Sequence, residues 1–425
     1  MKDPWTNTFP LPLSGRKCKA STAEKVTAVD RWLVHKFLHA IGEPPMRVVL
    51  WNEEEVTPPN SIPAVGMRIR SRSTLWRLLT NPLLHFGDDY CAGRIEIEGG
   101  LVLFLETVYR SMASTSHFRR RSDPLAYRRN QPNLNSPAES QKNIHHHYDI
   151  GNEFYQLWLD RELLYTCAYF PHPDASLEVA QVAKMDLVCR KLRLRPGQSV
   201  VEAGCGWGAL ALHMAGHYGV RVKAYNISRQ QIAYARERAR AEGLEGRVEY
   251  VEDDYRAITG SYDVFVSVGM LEHVGPDHYQ ELGSVVNRCL VQDGLGLIHC
   301  IGQNISTPMS PWFLKRIFPG GYPPTLREMM ALFEPWEFSV LDVENLRLHY
   351  AKTCEHWLER FEHNRERVRD MFDECFIRAW QLYLSGCIVN FTIGNLQLYQ
   401  VLFSRPSNNR IPWTRSHLSV PSDVP

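Results

Sequence analysis

From residue 144 onward, apolar residues form short runs that are separated by longer amphipathic segments. The runs at residues 198–203, 220–225, 247–251, 262–268 and 296–301 have the length and content of buried strands. Helical patterns lie between them, as at residues 229–242. Strands that alternate with helices indicate a parallel sheet that is covered on both faces. Residues 396–404 predict one further strand after a long helical stretch.

The chain before residue 144 has a different pattern. Residues 22–113 combine short strand-like runs with a helical pattern, which predicts a small α+β domain. The apolar residues of the helical pattern are Val29, Trp32, Leu33, Phe37 and Leu38. Residues 114–143 are rich in Ser, Pro, Asn and Arg, which is typical of a linker. We therefore divide the chain into an N-terminal α+β domain (1–113), a basic linker (114–143), a larger α/β domain (144–405) and a C-terminal tail (406–425).

Charge and cysteine content limit the classes of function. Lys and Arg number 48 and Asp and Glu number 47, so the net charge of +1 gives no reason to expect nucleic acid as the main ligand. The ten cysteines form no C-x-x-C pair, which favours reduced thiols. The N-terminus shows no signal-peptide pattern, and no segment approaches the ~20 apolar residues of a membrane-spanning helix. We therefore expect a cytoplasmic protein that meets the inner face of a membrane only peripherally.

The predicted strand at residues 199–203 leads into a glycine-rich segment at 204–208, and a helical pattern follows. Glycines let the backbone turn tightly and approach a ligand, and the free N–H groups of the following helix face the same crevice. The spacing also fits the dinucleotide fingerprint G-x-G-x-x-G/A, with Ala209 at the last position. That class of site uses an acidic residue about 20 positions later, whereas the next strand ends at Asn226. The pattern therefore counts against NAD as the ligand.

Polar residues also follow two further strands. Asp253 and Asp254 come after the third strand, and Glu272 and His273 come after the fourth. The carboxyl ends of parallel strands share one edge of the sheet, where ligands bind in such folds. A glycine turn without a ligand would leave these residues unexplained, so we predict a binding site at this edge.

Six motifs, in order, resemble those of the cyclopropane-fatty-acyl-phospholipid synthase family. They are HHYDIGN at 146–152, YTCAYF at 165–170, VEAGCGWG at 201–208, GMLEHVG at 269–275, HCIG at 299–302 and HY at 349–350. The resemblance covers residues 144–405, and the N-terminal domain only by its place and size. It implies a class I methyltransferase fold, which is a Rossmann-like doubly wound α/β sheet, here with a smaller N-terminal α+β domain for lipid binding or assembly. It also implies S-adenosylmethionine and bicarbonate as cofactors and an unsaturated phospholipid as substrate, while a homodimer stays an open alternative.

The resemblance assigns two groups of site residues. The bicarbonate pocket is implied to consist of Cys167, Glu272, His299, the Ile301 backbone and Tyr350. Cofactor contacts are implied for Tyr165, Thr166, Glu202, Gly204, Cys205, Gly206, Gly208, Asn226, Gln231, Asp254 and Tyr255. There are two departures from the family's common pattern: Glu202-Ala203 replaces Asp-Ile or Asp-Val, and Asn226 replaces Thr. The first change keeps the charge, and the second keeps a hydrogen-bonding side chain.

The implied reaction adds a one-carbon unit to an alkene. An isolated alkene is a poor nucleophile, so the methyl group must be held against it in a dry pocket and the resulting cation must be shielded from water. Aromatic faces stabilise such a cation, and the candidates are Tyr148, Tyr169, Phe170, Trp312, Phe318 and Tyr322. Ring closure needs a base beside the delivered methyl, and a small bound anion avoids alkylation of a side chain. We expect Glu272 to orient that anion through its proton, and Cys167 only to line the pocket.

Other functions stay open from the sequence. A C-methyltransferase of fatty acyl chains would form a methyl or methylene branch, and an N-methyltransferase of the same fold would not need the bicarbonate pocket. A lipid-binding or lipid-transfer protein would explain the N-terminal domain and the linker, but not the glycine turn. The adjacent residues His145, His146 and His147 predict no metal site, because neighbouring side chains rarely converge on one ion.

The arginines of the linker generate a first prediction. Arg119 to Arg121 and Arg128 with Arg129 should each add about 1 kcal/mol of attraction to an anionic lipid surface. We therefore expect the protein to co-sediment with anionic vesicles more than with neutral ones, and high salt should weaken this binding. Equal co-sedimentation with both kinds of vesicle, at low and at high salt, would show that the linker contacts no membrane.

Overall fold

The structure is a computed structural model, and it describes residues 25–59, 61–114 and 150–418. Nearly all of the predicted linker, the three adjacent histidines and Tyr148 lie outside these residues. The strands are β1 (Met46–Val49), β2 (Glu55–Val56), β3 (Val65–Ile69), β4 (Ile95–Glu98), β5 (Ser199–Ala203), β6 (Arg221–Asn226), β7 (Val248–Glu252), β8 (Tyr262–Val268), β9 (Leu290–Gly302), β10 (Ser339–Asn345) and β11 (Gln397–Ser404).

The α-helices of the described residues alternate with these strands through much of the chain. They are α1 (Ala28–Ala40), α2 (Arg72–Thr80), α3 (Pro82–Cys91), α4 (Leu101–Ser114), α5 (Asn152–Gln156), α6 (Leu177–Lys191), α7 (Ala209–Tyr218), α8 (Arg229–Ala241), α9 (Leu271–Val274), α10 (Tyr279–Cys289), α11 (Pro311–Arg316), α12 (Leu326–Phe333), α13 (Arg347–His363), α14 (Arg365–Met371) and α15 (Glu374–Ile393). Within the part of the chain that is described, none of these helices combines the length and the apolar character needed to cross a bilayer.

The described residues form two compact units. The first comprises residues 25–114, without residue 60, together with 307–319 and 357–393. Its sheet has the order β2-β1-β3-β4, in which β1 and β3 are parallel and the other neighbours are antiparallel. The N-terminal part of this unit thus contains both helices and strands. The two later segments belong to the same unit, which the sequence pattern did not indicate.

The buried face of α1 agrees with the predicted one only in part, because Leu38 is buried and Leu33 and Phe37 are partly buried. Val29 and Trp32 are exposed, whereas Asp30 is buried. The Asp30 carboxylate accepts the Thr27 amide at 2.7 Å and the Arg72 guanidinium at 2.9 Å. A capping box and an ion pair therefore satisfy a carboxylate that hydrophobicity alone would place in solvent.

The second unit comprises residues 150–306, 320–356 and 394–418. Its sheet has the order β10-β11-β9-β8-β5-β6-β7. Strands β5 to β9 are parallel, and β10 and β11 are antiparallel to their neighbours. This topology confirms the predicted doubly wound α/β sheet. The strand order reverses at β5, and ligands bind in such sheets beside the carboxyl ends of the strands at this point.

Two apolar cores cover the faces of this sheet. Val200 of β5 packs with Val264 in one core, and Val201 packs with Phe265 in the other. Successive side chains of a strand point to opposite faces, and here both faces are buried. This is why the strands read as continuous apolar runs in the sequence.

Candidate active site

The turn after β5 depends on two close approaches of the backbone. The amides of Gly204 and Cys205 both donate to the Tyr225 carbonyl, at 2.9 and 3.1 Å. Gly208 has a φ of 86° and precedes α7. A Cβ at Gly208 would lie 2.5 Å from the hydroxyl oxygen of Tyr250, and this hydroxyl donates to the Gly208 carbonyl. Both the dihedral angle and the available space therefore require glycine at this position.

An open cleft lies beside this turn, at the carboxyl ends of β5 and β8. Gly206 has a φ of 54° and faces open space, with no atom within 4 Å of the place that a Cβ would occupy. The backbone at Gly206 can therefore contact a ligand directly. The lining includes eight residues that the resemblance assigned to the cofactor, namely Tyr165, Thr166, Glu202, Gly204, Cys205, Gly206, Asn226 and Gln231.

Polar atoms in the cleft have hydrogen-bonding capacity left. Glu202 Oε2 and Gln231 Nε2 are buried and have no partner. Asn226 Nδ2 donates to Gln231 Oε1 at 2.7 Å, which orients the Gln231 amide. Burial raises the pKa of Glu202 to about 8. Each unpaired buried polar atom costs about 1–3 kcal/mol, so a ligand with both donors and acceptors, such as S-adenosylmethionine, fits this cleft.

Lys184 also lines the cleft, although it is not among the predicted residues. Its ammonium group is buried and donates to Thr166 Oγ1 at 2.8 Å. Burial lowers the pKa of Lys184 to about 8, and nearby carboxylates oppose this shift. Helical spacing could have identified it, because Ala180, Lys184 and Leu187 lie on one buried face of α6.

Three of the predicted cofactor contacts do not line the cleft. They are Gly208, Asp254 and Tyr255. Asp254 caps the short 3-10 helix that follows it and pairs with Arg256 at 3.0 Å. Tyr255 is buried, and its hydroxyl has no partner. Direct contact of these residues with the cofactor stays a prediction.

A second group of polar residues lies where β8 ends beside β9. The last pair joins Val268 to His299, and the Gly269 amide donates to the His299 carbonyl at 2.8 Å. Beyond this point β8 no longer accompanies β9, and Glu272 Oε1 accepts the Ile301 N–H at 2.5 Å. Glu272 thereby joins α9 to the end of β9. The Ile301 amide, which was predicted to line the bicarbonate pocket, is thus hydrogen-bonded to Glu272, another predicted residue of that pocket.

Glu272 and His299 each keep one buried polar atom without a partner. These atoms are Glu272 Oε2 and His299 Nε2. His273, which follows Glu272 in α9, lines the cofactor cleft. The short helix α9 therefore carries a residue of the cofactor cleft and a residue of the predicted bicarbonate pocket. The predicted cofactor contacts and the predicted bicarbonate pocket are thus neighbours in the same unit.

The backbone of Leu346 brings Cys167 and Tyr350 together. The Cys167 Sγ lies 3.9 Å from the Leu346 carbonyl oxygen, and the Tyr350 amide donates to the same oxygen at 3.2 Å. The Leu346 amide in turn donates to Leu398, which pairs with Ile301 across β11 and β9. The residues predicted for the bicarbonate pocket therefore lie at one end of the sheet.

Burial determines the protonation of these groups. It raises the pKa of Glu272 to about 7 and lowers the pKa of His273 to about 4. Burial, with nearby ammonium groups adding to it, holds the pKa of His299 well below its usual range. Burial also raises the pKa of the Cys167 thiol far above its usual range. A neutral thiol is a poor nucleophile, which favours a lining role for Cys167.

The model of the family described as mycolic acid cyclopropane synthetase matches residues 135–401, which is more than half of the chain. The chain belongs to the mycolic acid cyclopropane synthetase family. A model of a domain of unknown function also matches residues 33–120. The resemblance seen in the motifs is thus confirmed.

Sequence alignments with two relatives cover most of this chain. The chain is 36% identical over 354 residues to the cyclopropane-fatty-acyl-phospholipid synthase of Escherichia coli, covering 82% of this chain and 90% of the relative. It is 34% identical over 387 residues to a probable fatty acid methyltransferase of Pseudomonas putida, covering 88% of this chain and 96% of the relative. The solved mycolic acid cyclopropane synthase CmaA1, complexed with SAH and CTAB, aligns with a TM-score of 0.60 and 29% identity, covering 62% of this chain and 98% of that structure. The protein is an S-adenosylmethionine-dependent methyltransferase.

The open space at Gly206 generates a second prediction. Gly206→Val should abolish binding of S-adenosylmethionine, because the side chain would project into the cleft, and isothermal calorimetry can measure the loss. Gly243→Val is the matched control, since Gly243 has a similar φ of 67° and open space around its Cβ position but does not line the cleft. The control carries a similar backbone strain of order 1–3 kcal/mol and should bind normally. Unchanged affinity in a folded Gly206→Val variant would show that the cofactor lies elsewhere.

The raised pKa of Glu272 generates a third prediction, about stability. Between the ordinary pKa of 4.5 and about 7, the folded protein keeps a proton that the unfolded chain has released. Stability is therefore lost as the pH rises through this window, by roughly 3 kcal/mol in total. Glu272→Gln removes the titration and keeps an acceptor for Ile301, so it should raise the melting temperature at pH 8 and lose this advantage near pH 4.5.

Glu281→Gln provides a control of opposite sign. Hydrogen bonding and charge interactions with Arg256 and His278 outweigh partial burial and hold the pKa of Glu281 below its usual range. Its ionised form therefore stabilises the fold, and the substitution should lower the melting temperature at pH 8. An effect of Glu272→Gln that is the same at both pH values would contradict the raised pKa.

Proposed function

We propose that this methyltransferase delivers a methylene unit to the cis double bond of an unsaturated phospholipid acyl chain and closes a cyclopropane ring, with bound bicarbonate as the base. Membership of a cyclopropane synthetase family supports the reaction on an unsaturated acyl chain. The name of the Escherichia coli relative supports a phospholipid as the carrier of that chain. With such a substrate the enzyme works at a membrane surface, as a peripheral protein.

One observation carries the choice of base. Glu272 Oε2, on α9, and His299 Nε2, on β9, are buried and have no partner, and α9 also carries His273, which lines the cofactor cleft. A protein rarely leaves two buried polar atoms unpaired unless a ligand or water completes them. Bicarbonate offers an O–H donor and several acceptor oxygens, which match a carboxylate oxygen and an imidazole N–H. The donor set therefore fits this anion.

Each residue then has a defined task. When bound, S-adenosylmethionine would supply the methyl group to one alkene carbon, leaving S-adenosylhomocysteine, and bicarbonate would be the base for the proton that the methyl loses on ring closure. Glu272 Oε2 accepts the O–H of the anion and so orients it, while Oε1 stays bonded to Ile301. His299 donates from Nε2, and Tyr350 and Cys167 complete the wall. Glu272 accepts this hydrogen bond with both oxygens available only when it is ionised, so its pKa of about 7 places the onset of this role near neutral pH.

The aromatic candidates differ in how they are held. Tyr169 stacks on His349 with ring centroids 4.8 Å apart, and the Phe170 amide donates to His349 Nδ1 at 3.0 Å. Tyr322 is linked directly to the site, because its amide donates to the Glu272 carbonyl at 2.8 Å. Its hydroxyl is bonded to Glu328 at 2.7 Å, which fixes the ring. We therefore assign cation stabilisation to Tyr322 first. Trp312 and Phe318 belong to the other unit.

A branched product is the second candidate, because one relative is a probable fatty acid methyltransferase. Methyl transfer gives the same cation in both reactions, so the proton that leaves decides the product. Loss of a proton from the delivered methyl closes the ring. A hydride shift before that loss gives an exocyclic methylene instead. A base fixed beside the methyl favours the first outcome, and the unpaired buried atoms of Glu272 and His299 support these residues as the ones that would hold it.

The product of the purified enzyme tests this proposal and is a fourth prediction. Mass cannot separate a ring from a methylene branch, so the lipid product should be examined by proton NMR. We expect strongly shielded ring methylene protons and no terminal-alkene signal. Depletion of bicarbonate should slow turnover, and Glu272→Gln should reduce it by roughly 10² to 10⁴ without loss of cofactor binding.

Two results would contradict it. Terminal-alkene protons in the product would assign the enzyme to the branching reaction. Full turnover without bicarbonate, or full turnover of Glu272→Gln, would remove the anion from the mechanism. In either case the cofactor and the methyl transfer step would be unaffected.

A further inference from the structure

Three side chains form a row across the strands that end at the active site. Glu344 of β10 pairs with Gln400 of β11, and Gln400 pairs with His299 of β9. Residues that are directly opposite in antiparallel strands place their side chains on the same face of the sheet. Gln400 and His299 are each 1% exposed. The row therefore runs from the partly exposed edge strand to the buried His299.

Lys191, at the end of α6, covers this row. Its buried ammonium group donates to Glu344 Oε2 at 2.5 Å and to Gln400 Oε1 at 2.7 Å. An ammonium group has donors only, so the side-chain atom of Gln400 that faces Lys191 must be the carbonyl oxygen. The amide nitrogen of Gln400 then faces the other way, and it lies 3.0 Å from His299 Nδ1.

This arrangement determines where the His299 proton lies. The Gln400 amide nitrogen is a donor, so Nδ1 must accept and cannot carry a proton. Burial, together with the charges of Lys184 and Lys191, holds the pKa of His299 well below its usual range, so the ring is neutral. A neutral imidazole has one N–H, which is then on Nε2. This is the atom that is buried without a partner at the active site.

We propose that Lys191 and Gln400 are positioning residues that hold neutral His299 in the tautomer with its proton on Nε2, so that His299 donates to a bound oxyanion. If the Gln400 amide turned by half a rotation, its oxygen would accept a hydrogen bond from Nδ1–H, and Nε2 would then be the unprotonated nitrogen and an acceptor. An acceptor there would repel a bicarbonate oxygen. The part of this inference that concerns the anion rests on the proposed function, whereas the tautomer does not.

Nitrogen NMR of the full-length protein, labelled with ¹⁵N in its histidines, tests the tautomer directly. His299→Gln identifies the signals of His299 by their loss. In the wild type we expect an unprotonated Nδ1 and a protonated Nε2. In Gln400→Glu a carboxylate faces both Lys191 and Nδ1, so Nδ1 should become protonated, and Nε2 should lose its proton at a pH where the ring is neutral. Lys191→Met frees the amide to turn and should give a mixture of both tautomers.

Turnover then tests the role of the tautomer. At that pH, Gln400→Glu should raise the bicarbonate concentration needed for half-maximal rate by about 10- to 100-fold, the usual effect of losing a residue that orients a ligand group. Calorimetric affinity for S-adenosylmethionine should not change. Gln397→Glu is the matched control, because Gln397 is a buried glutamine of the same strand whose side chain bonds Asn345 and Gly394 instead. It should leave the His299 signals and the bicarbonate requirement as in the wild type.

The outcomes separate the two claims. A wild-type His299 with its proton on Nδ1, or a Gln400→Glu variant that keeps Nδ1 unprotonated, overturns the assignment of Lys191 and Gln400. A tautomer that changes while the bicarbonate requirement does not overturns the link to the oxyanion. A wild-type enzyme that needs no bicarbonate contradicts the proposed function, and the NMR result still decides the tautomer.

Discussion

The site depends on one constraint: the two strands that pair with β9 end at different residues of β9. On one side, β8 accompanies β9 only as far as His299, while on the other side β11 continues to Gly302. The last residues of β9 therefore have one paired edge and one free edge. Glu272 takes the place of the missing strand by accepting the Ile301 N–H. The buried Glu272 carboxylate thus satisfies a backbone amide that no neighbouring strand pairs, and this hydrogen bond fixes the carboxylate at the end of the sheet.

The site is assembled at a cost to stability. Glu202, Gln231, Glu272 and His299 all keep buried polar atoms without partners, and each such atom costs about 1–3 kcal/mol. A fold selected for stability alone would pair these atoms or replace them with apolar groups. Glu202 and Gln231 line the cleft, where a bound cofactor can supply the missing partners, and a bound anion can do the same for Glu272 and His299.

Much of the fold follows from the pattern of apolar residues. Strands β5, β8 and β11 are buried on both faces, so each reads as a short apolar run that the sequence reveals, whereas the edge strand β7 keeps exposed glutamates. The glycine turn was predicted for the same reason that the structure requires it, since Gly206 faces the open cleft and Gly208 has no room for a side chain. The face of α1 was predicted only in part, because the burial of Asp30 depends on the distant Arg72.

The polar network around the site is less visible in the sequence. Lys184 and Lys191 look like solvent-exposed helix residues until the buried face of α6 is recognised from its spacing. Gln400 interrupts an apolar strand, and only the cross-strand register brings it beside His299, 101 residues away in the chain. Such contacts depend on how strands pair, and no local pattern contains that information.

A crystal structure of the protein with S-adenosylhomocysteine and bicarbonate would test the central claim most directly. We expect the electron density to show a small planar anion within hydrogen-bonding distance of both His299 Nε2 and Glu272 Oε2. An anion bound elsewhere would contradict it, and so would a complex in which these two atoms are paired with protein groups instead.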